Sequence, residues 1–179
     1  MLARPYDEMH PDRVLDVLYL IVASFLMSIP QARIERGRLS LYAIVTGAAA
    51  ILTNPVDATL VGLVTSLAQV RRGLGPTLVN GVLNASAACL ASLVAAQLRV
   101  ENALPIGPRL GVVLTLCAAN LALVVALLRI RTGESVISIV QHNFTRSFYA
   151  AFAYFGLAAL LLSYVLDGSS TGYLLATVV

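Results

Sequence analysis

Asn80 and Asn84 stand one helical turn apart in the stretch VNGVLNASAACLASL and share a helix face with Ala88. Asn120 interrupts LCAANLAL, Thr53 and Asp57 flank a proline in ILTNPVDATL, and Asp16 lies early in the first apolar run. Amides and hydroxyls of this kind donate and accept hydrogen bonds; they can hold a small polar molecule or tie one helix to another. Inside hydrocarbon such groups are costly, and they face the interior of a helical bundle. Two readings follow. In the first, Asn80, Asn84 and Asn120 bond across helices whose small Ala, Ser and Gly residues allow close approach. In the second, Asn80, Asn84, Asn120, Asp57 and Thr53 line a ligand pocket that opens outward between a short helical hairpin and the Asn80 helix. Capping of its own helix also accounts for Asp57.

Covalent and metal chemistry find no motif. The chain has no phosphate-binding Gly-rich loop, no paired-histidine metal motif and no nucleophile elbow. His10 and His142 are isolated, without cysteine or carboxylate at ligand spacing. Cys89 and Cys117 fall inside apolar runs and read as small buried residues, not as a disulfide or a metal pair. Asn84 and Asn143 match the glycosylation pattern, but one lies within a span and the other on the expected cytoplasmic side. The expectation is a non-enzymatic chain with no cofactor and no metal.

The elements that position these groups follow from composition. Of the 179 residues, 59% are apolar and only 12% charged, with a mean hydropathy of +0.86. A soluble domain carries about 25% charged residues, so this surface cannot face water on all sides. All twelve basic residues are arginine, which reads as genome composition and not as a nucleic-acid surface. The pattern predicts an all-α, polytopic transmembrane bundle of six spans plus a partial seventh. A polar tail, 1–13, precedes spans at about 14–29, 39–53, 55–70, 77–98, 110–128 and 148–166, with a partial span at 172–179. The acidic residues Asp7, Glu8 and Asp12 in that tail argue against a cleaved signal peptide, which needs net positive charge there.

Asn54-Pro55 divides an apolar run, 39–70, that as one helix would measure about 48 Å. The hydrocarbon core is about 30 Å thick. Asn is a favoured N-cap, proline fits the first helical position, and Asp57 then meets free backbone amides. The stretch TNPVD therefore predicts a tight turn between two short helices that barely cross the bilayer. Loops 31–38, 71–76 and 129–147 hold eight of the twelve arginines, so that side is expected to be cytoplasmic, with the TNPVD turn outside. In 133–146, Val136, Val140 and Phe144 recur every four residues beside Ile137, which predicts an amphipathic helix in the cytoplasmic interface.

Three stretches resemble a known bacterial region. They are IPQARIERGRLSLYAIVTGAAAILTNPVDATLVGLVTSLAQ, PTLVNGVLNASAACLASLVAAQL and AANLALVVALLRIRTGESVISIVQHNFTRSFYAAFAYFGLAALLLSYV. Together they are similar to the membrane region found ahead of HD-GYP and GGDEF cyclic-di-GMP signalling domains. Gly37-Arg38-Leu39-Ser40-Leu41, Pro55, Val61-Gly62, Pro76, Asn80, Asn84 and Asn120 fall on its features. More loosely, the chain resembles the substrate-binding components of ECF vitamin transporters. The first resemblance implies a sensory, ligand-binding domain of the bacterial inner membrane. Such a domain couples a small-molecule or membrane signal to a cytoplasmic output domain or a second copy of the chain. The second implies a transporter component that docks on an energising complex, and a purely structural anchor is the third alternative. The region also carries a further helix ahead of the Arg-rich loop and a cytoplasmic enzyme domain. Phosphodiesterase residues are not found in this chain, so no catalysis carries over.

Overall fold

The computed structural model describes residues 11–34, 37–99, 104–144 and 146–167. Seven α-helices make up the described fold: α1 (Pro11–Ser28), α2 (Tyr42–Leu52), α3 (Pro55–Val64), α4 (Leu74–Leu98), α5 (Ile106–Thr132), α6 (Val136–Asn143) and α7 (Arg146–Asp167). A 3-10 helix, Thr65–Arg72, continues α3, and a short antiparallel hairpin of β1 (Gln31–Ile34) and β2 (Gly37–Ser40) precedes α2. The architecture is all-α in its core, as composition predicts. Three helices are long and apolar enough to cross a membrane: Leu74–Leu98, Ile106–Thr132 and Phe148–Asp167. Val14–Ser28, Tyr42–Leu52 and Pro55–Val70 are apolar but shorter.

The break at Asn54-Pro55 forms as its local chemistry dictates. The Asn54 side-chain oxygen accepts from the backbone amides of Val56 (2.8 Å) and Asp57 (2.9 Å), and Pro55 opens α3. The Thr53 amide closes α2 by donating to the Ala49 carbonyl at 2.8 Å. Several boundaries move. The segment expected as a loop, 31–38, contributes to the hairpin, and α2 starts at Tyr42 because Leu39 and Ser40 belong to β2. α4 starts at Leu74, since Gly73 turns the chain with a φ of 112° and Pro76 is tolerated in a first helical turn. α5 extends to Ile106 and Thr132, whereas the interfacial helix shortens to Val136–Asn143. The partial span at 172–179 lies outside the described residues.

α2 is the hub. Every residue from Val45 to Ile51 is buried, and the helix packs against α1, α3, α4, α5 and α7. At eleven residues it is about 17 Å long, roughly half the hydrocarbon thickness. Enclosure by other helices lets so short a helix sit in the bundle, because its flanks meet protein instead of lipid. Its small residues set the packing distance: a Cβ on Gly47 would lie 2.7 Å from the Ala159 Cβ of α7. The following segment gains length differently. A 3-10 helix rises about 2.0 Å per residue against 1.5 Å in an α-helix, so α3 and its continuation together reach about 31 Å.

Two apolar clusters surround α2. Ala50 and Ile51 meet Ala91, Ala95, Val112, Val113 and Leu160 on one side. Val45 and Ala49 meet Leu20, Val61 and Leu166 on the other. A third cluster, Val125, Ile139 and Phe144, fastens α6 to the last part of α5. Cys89 and Cys117 are half-buried in α4 and α5.

Candidate functional sites: a polar seam and an end cleft

The asparagines of α4 face the 3-10 segment. Asn84, buried, donates through Nδ2 to the Thr65 hydroxyl at 2.9 Å, while its Oδ1 accepts from the Tyr42 hydroxyl at 3.1 Å. The Thr65 hydroxyl in turn donates a hydrogen bond to the Gly62 carbonyl at 2.6 Å. One turn earlier, Asn80 donates to the Gln69 side chain at 2.8 Å. These bonds tie α2, α3 with its continuation, and α4 into one seam. The interface is tight where the sequence predicts an outward-opening pocket: a Cβ on Gly62 would lie 2.8 Å from the Asn84 carbonyl oxygen. Backbone of α4 thus lies against α3 at this point.

The other expected site residues sit elsewhere. Asn120 is half-buried on α5 and makes no side-chain hydrogen bond to a described residue. Asp57 is held by its own N-cap, accepting from the Asn54 side-chain amide. The Thr53 hydroxyl donates to the Ala49 carbonyl at 2.7 Å, and its backbone carbonyl accepts from Ser92 at 2.9 Å.

Thr53 does line a cleft, at the end of the molecule where α1 begins, α2 stops and α7 finishes. Its volume is about 190 Å³, with Asp16, Thr53 and Asp167 as polar walls and Leu20, Leu52 and Leu166 as apolar ones. Beside it lies Arg109, only 4% exposed. Its Nε donates to the Leu104 carbonyl at 2.7 Å, its Nη1 to the Ser163 hydroxyl at 3.0 Å, and its Nη2 to Asp167. The guanidinium also stacks over the Tyr164 ring, 4.1 Å from the centroid. Asp167, half-exposed, thus joins the arginine to the cleft wall. Arg99, at the end of α4, reaches the same end of the molecule and donates to the Ile51 carbonyl at 2.7 Å.

Both members of the Arg109–Asp167 pair occupy helix ends that disfavour their charge. Arg109 lies in the first turns of α5 and Asp167 closes α7. A cation near a helix N-terminus and an anion at a C-terminus each oppose the helix dipole. Pairing with each other, in a setting with four polar or aromatic partners for the arginine, offsets that cost. Sequence reasoning treats Arg109 as a loop arginine and does not single out Ser163 or Asp167. The available signal was their i, i+4 spacing on the last helix, which places both on one face. Asp16, Thr53, Arg99, Arg109 and Asp167 belong to segments that the arginine count puts on one side of the bilayer, and here they gather at one end. No family model, curated protein or solved structure matches the chain.

Proposed function

We propose that the chain is a multi-pass domain of the bacterial cytoplasmic membrane, six-spanning and non-enzymatic in itself, that receives a small polar signal at its outer end. The observation that carries this reading is the cleft shared by α1, the α2–α3 turn and α7. An occupant would touch all three at once through Asp16, Thr53 and Asp167. At about 190 Å³ the cleft is below the usual range for drug-sized ligands, so the class is a small, polar or cationic solute. α7 is the relay: its far end begins at Arg146, where Phe148 packs on Phe144 with ring centroids 4.6 Å apart. A tilt of α7 caused by occupancy would therefore move the connector helix α6 on the cytoplasmic side. The partner receiving that movement is a cytoplasmic output domain or a second copy of the chain, in keeping with the resemblance to signalling membrane regions.

Native mass spectrometry of the gently extracted protein tests this. The expected result is a discrete added mass of at most a few hundred daltons, retained by the wild type and lost in Asp16→Asn/Thr53→Val. An apo spectrum after exposure to host metabolite extract would contradict it. A second reading, a purely structural bundle, is favoured by the engagement of Asn80 and Asn84 in helix-to-helix bonds. That reading leaves the end cleft without a role.

A further inference from the structure

The opposite end of the molecule carries cations of a different kind. Arg129 and Arg131 lie in the last turn of α5, and Arg146 opens α7; all three are exposed. None has a carboxylate partner among the described residues, and the adjacent carboxylate, Glu134, accepts from the Ser138 hydroxyl at 3.1 Å. The same stretch of chain carries large exposed apolar side chains: Ile130 is 83% exposed, Ile137 70% and Val136 41%.

Packing fixes the depth of this corner. Gly133, with a φ of 72°, ends α5 and lets the chain fold back. The Ser135 hydroxyl then caps α6 by accepting from the Ser138 amide at 3.2 Å. Ile139 and Phe144 tuck against Val125, with Leu121, Val124 and Leu128 around them. α6 is thereby held alongside the later turns of a membrane-length helix, near the end that carries Arg129 and Arg131. At that level a bilayer changes from acyl chain to headgroup within a few ångströms. Exposed isoleucines, and arginines with no carboxylate partner among the described residues, match both layers, since apolar groups partition into the acyl boundary and arginine forks pair with phosphate.

The geometry points to an anionic-phospholipid docking site at the α5–α6–α7 corner, with headgroup phosphates on Arg129, Arg131 and Arg146 and acyl chains against Ile130 and Ile137. Charge complementarity commits the occupant: three cations without a carboxylate partner among the described residues match the acidic headgroups of the leaflet they are expected to face. The site goes beyond the proposed signal-receiving role and stands or falls independently of the end cleft. It would fix the depth of α6, the element that the proposed relay moves.

Lipid titration of the full chain, read by native mass spectrometry with phosphatidylglycerol and phosphatidylcholine of equal chain length, tests the site. The wild type is expected to retain phosphatidylglycerol in preference. Arg129→Gln/Arg131→Gln/Arg146→Gln should lose that preference, roughly fivefold in apparent affinity for each arginine removed. The corresponding triple lysine variant should keep most of it, showing that charge and not a folding defect is responsible. Equal retention of both lipids by the wild type would overturn the inference, as would an unchanged preference in the glutamine variant. A bound protein that occupies the corner and excludes phosphatidylglycerol would overturn it too.

Discussion

Arg109 and Asn84 are both polar side chains buried in an apolar bundle, and the two regions solve that problem with different means. Around Asn84 the groups are neutral, and three helical segments are joined by a chain from Tyr42 through Asn84 and Thr65 to the Gly62 carbonyl. Around Arg109 the groups are charged, and one guanidinium holds a loop carbonyl, a hydroxyl, a carboxylate and an aromatic face. A neutral amide left alone loses a modest bond, whereas a buried charge left alone is severely penalised. Substitution in the seam should therefore cost less than substitution in the Arg109 cluster. Openness differs as well: backbone closes the seam at Gly62, while the Arg109 cluster borders a cleft.

Substitutions can break this contrast, and unfolding in a detergent titration would measure each. The largest effect is expected at Arg109. Arg109→Ala strips the Leu104 carbonyl and Ser163 of their donor and leaves Asp167 without its cation, at a cost of about 3–5 kcal/mol. Asp167 is half-exposed, so water screens it, and the cost should fall toward the lower value. Adding Asp167→Ala to that variant should cost less than it does in the wild type, because the two share one interaction.

Gly62→Ala comes next. Its methyl group would press on the Asn84 backbone, which cannot rotate away, and forcing the helices apart should cost about 1–3 kcal/mol. Asn84→Leu removes two side-chain bonds but keeps an apolar filler, so about 1–2 kcal/mol is expected, in line with interhelical bonds inside membranes. The smallest effect belongs to Asn120→Leu. With no bond to lose among the described residues, it should change stability by less than about 0.5 kcal/mol or raise it. A large loss there would show that Asn120 has a partner outside the described residues.

Local features were legible in the sequence. Asn54, Pro55 and Asp57 act within one turn of each other, so cap chemistry alone places the α2–α3 break. The membrane-length helices α4, α5 and α7 follow from apolar length in the same way. Distant features were not. Arg109 finds Ser163 and Asp167 across 54 and 58 residues, and Asn84 finds Tyr42 across 42. No spacing rule reaches that far. The hairpin of β1 and β2 escaped because four-residue strands carry too little alternation to separate them from a loop. The enclosure of α2 by other helices was not legible, because lipid and protein neighbours favour the same residues. Of the five expected site residues, Thr53 lines the cleft, and it was chosen for its place beside a turn, not for any partner.

The account places the Arg109 end and the α6 connector on opposite sides of one membrane. Sided cysteine labelling tests that most directly, in a variant with Cys89 and Cys117 replaced by alanine. Val56, 68% exposed in the first turn of α3, and Glu134, exposed between α5 and α6, each become a single cysteine. A membrane-impermeant maleimide applied to intact spheroplasts should label Val56→Cys at once and Glu134→Cys only after permeabilisation. Labelling of both positions from the same side would contradict that sidedness, and with it the proposed path from end cleft to connector.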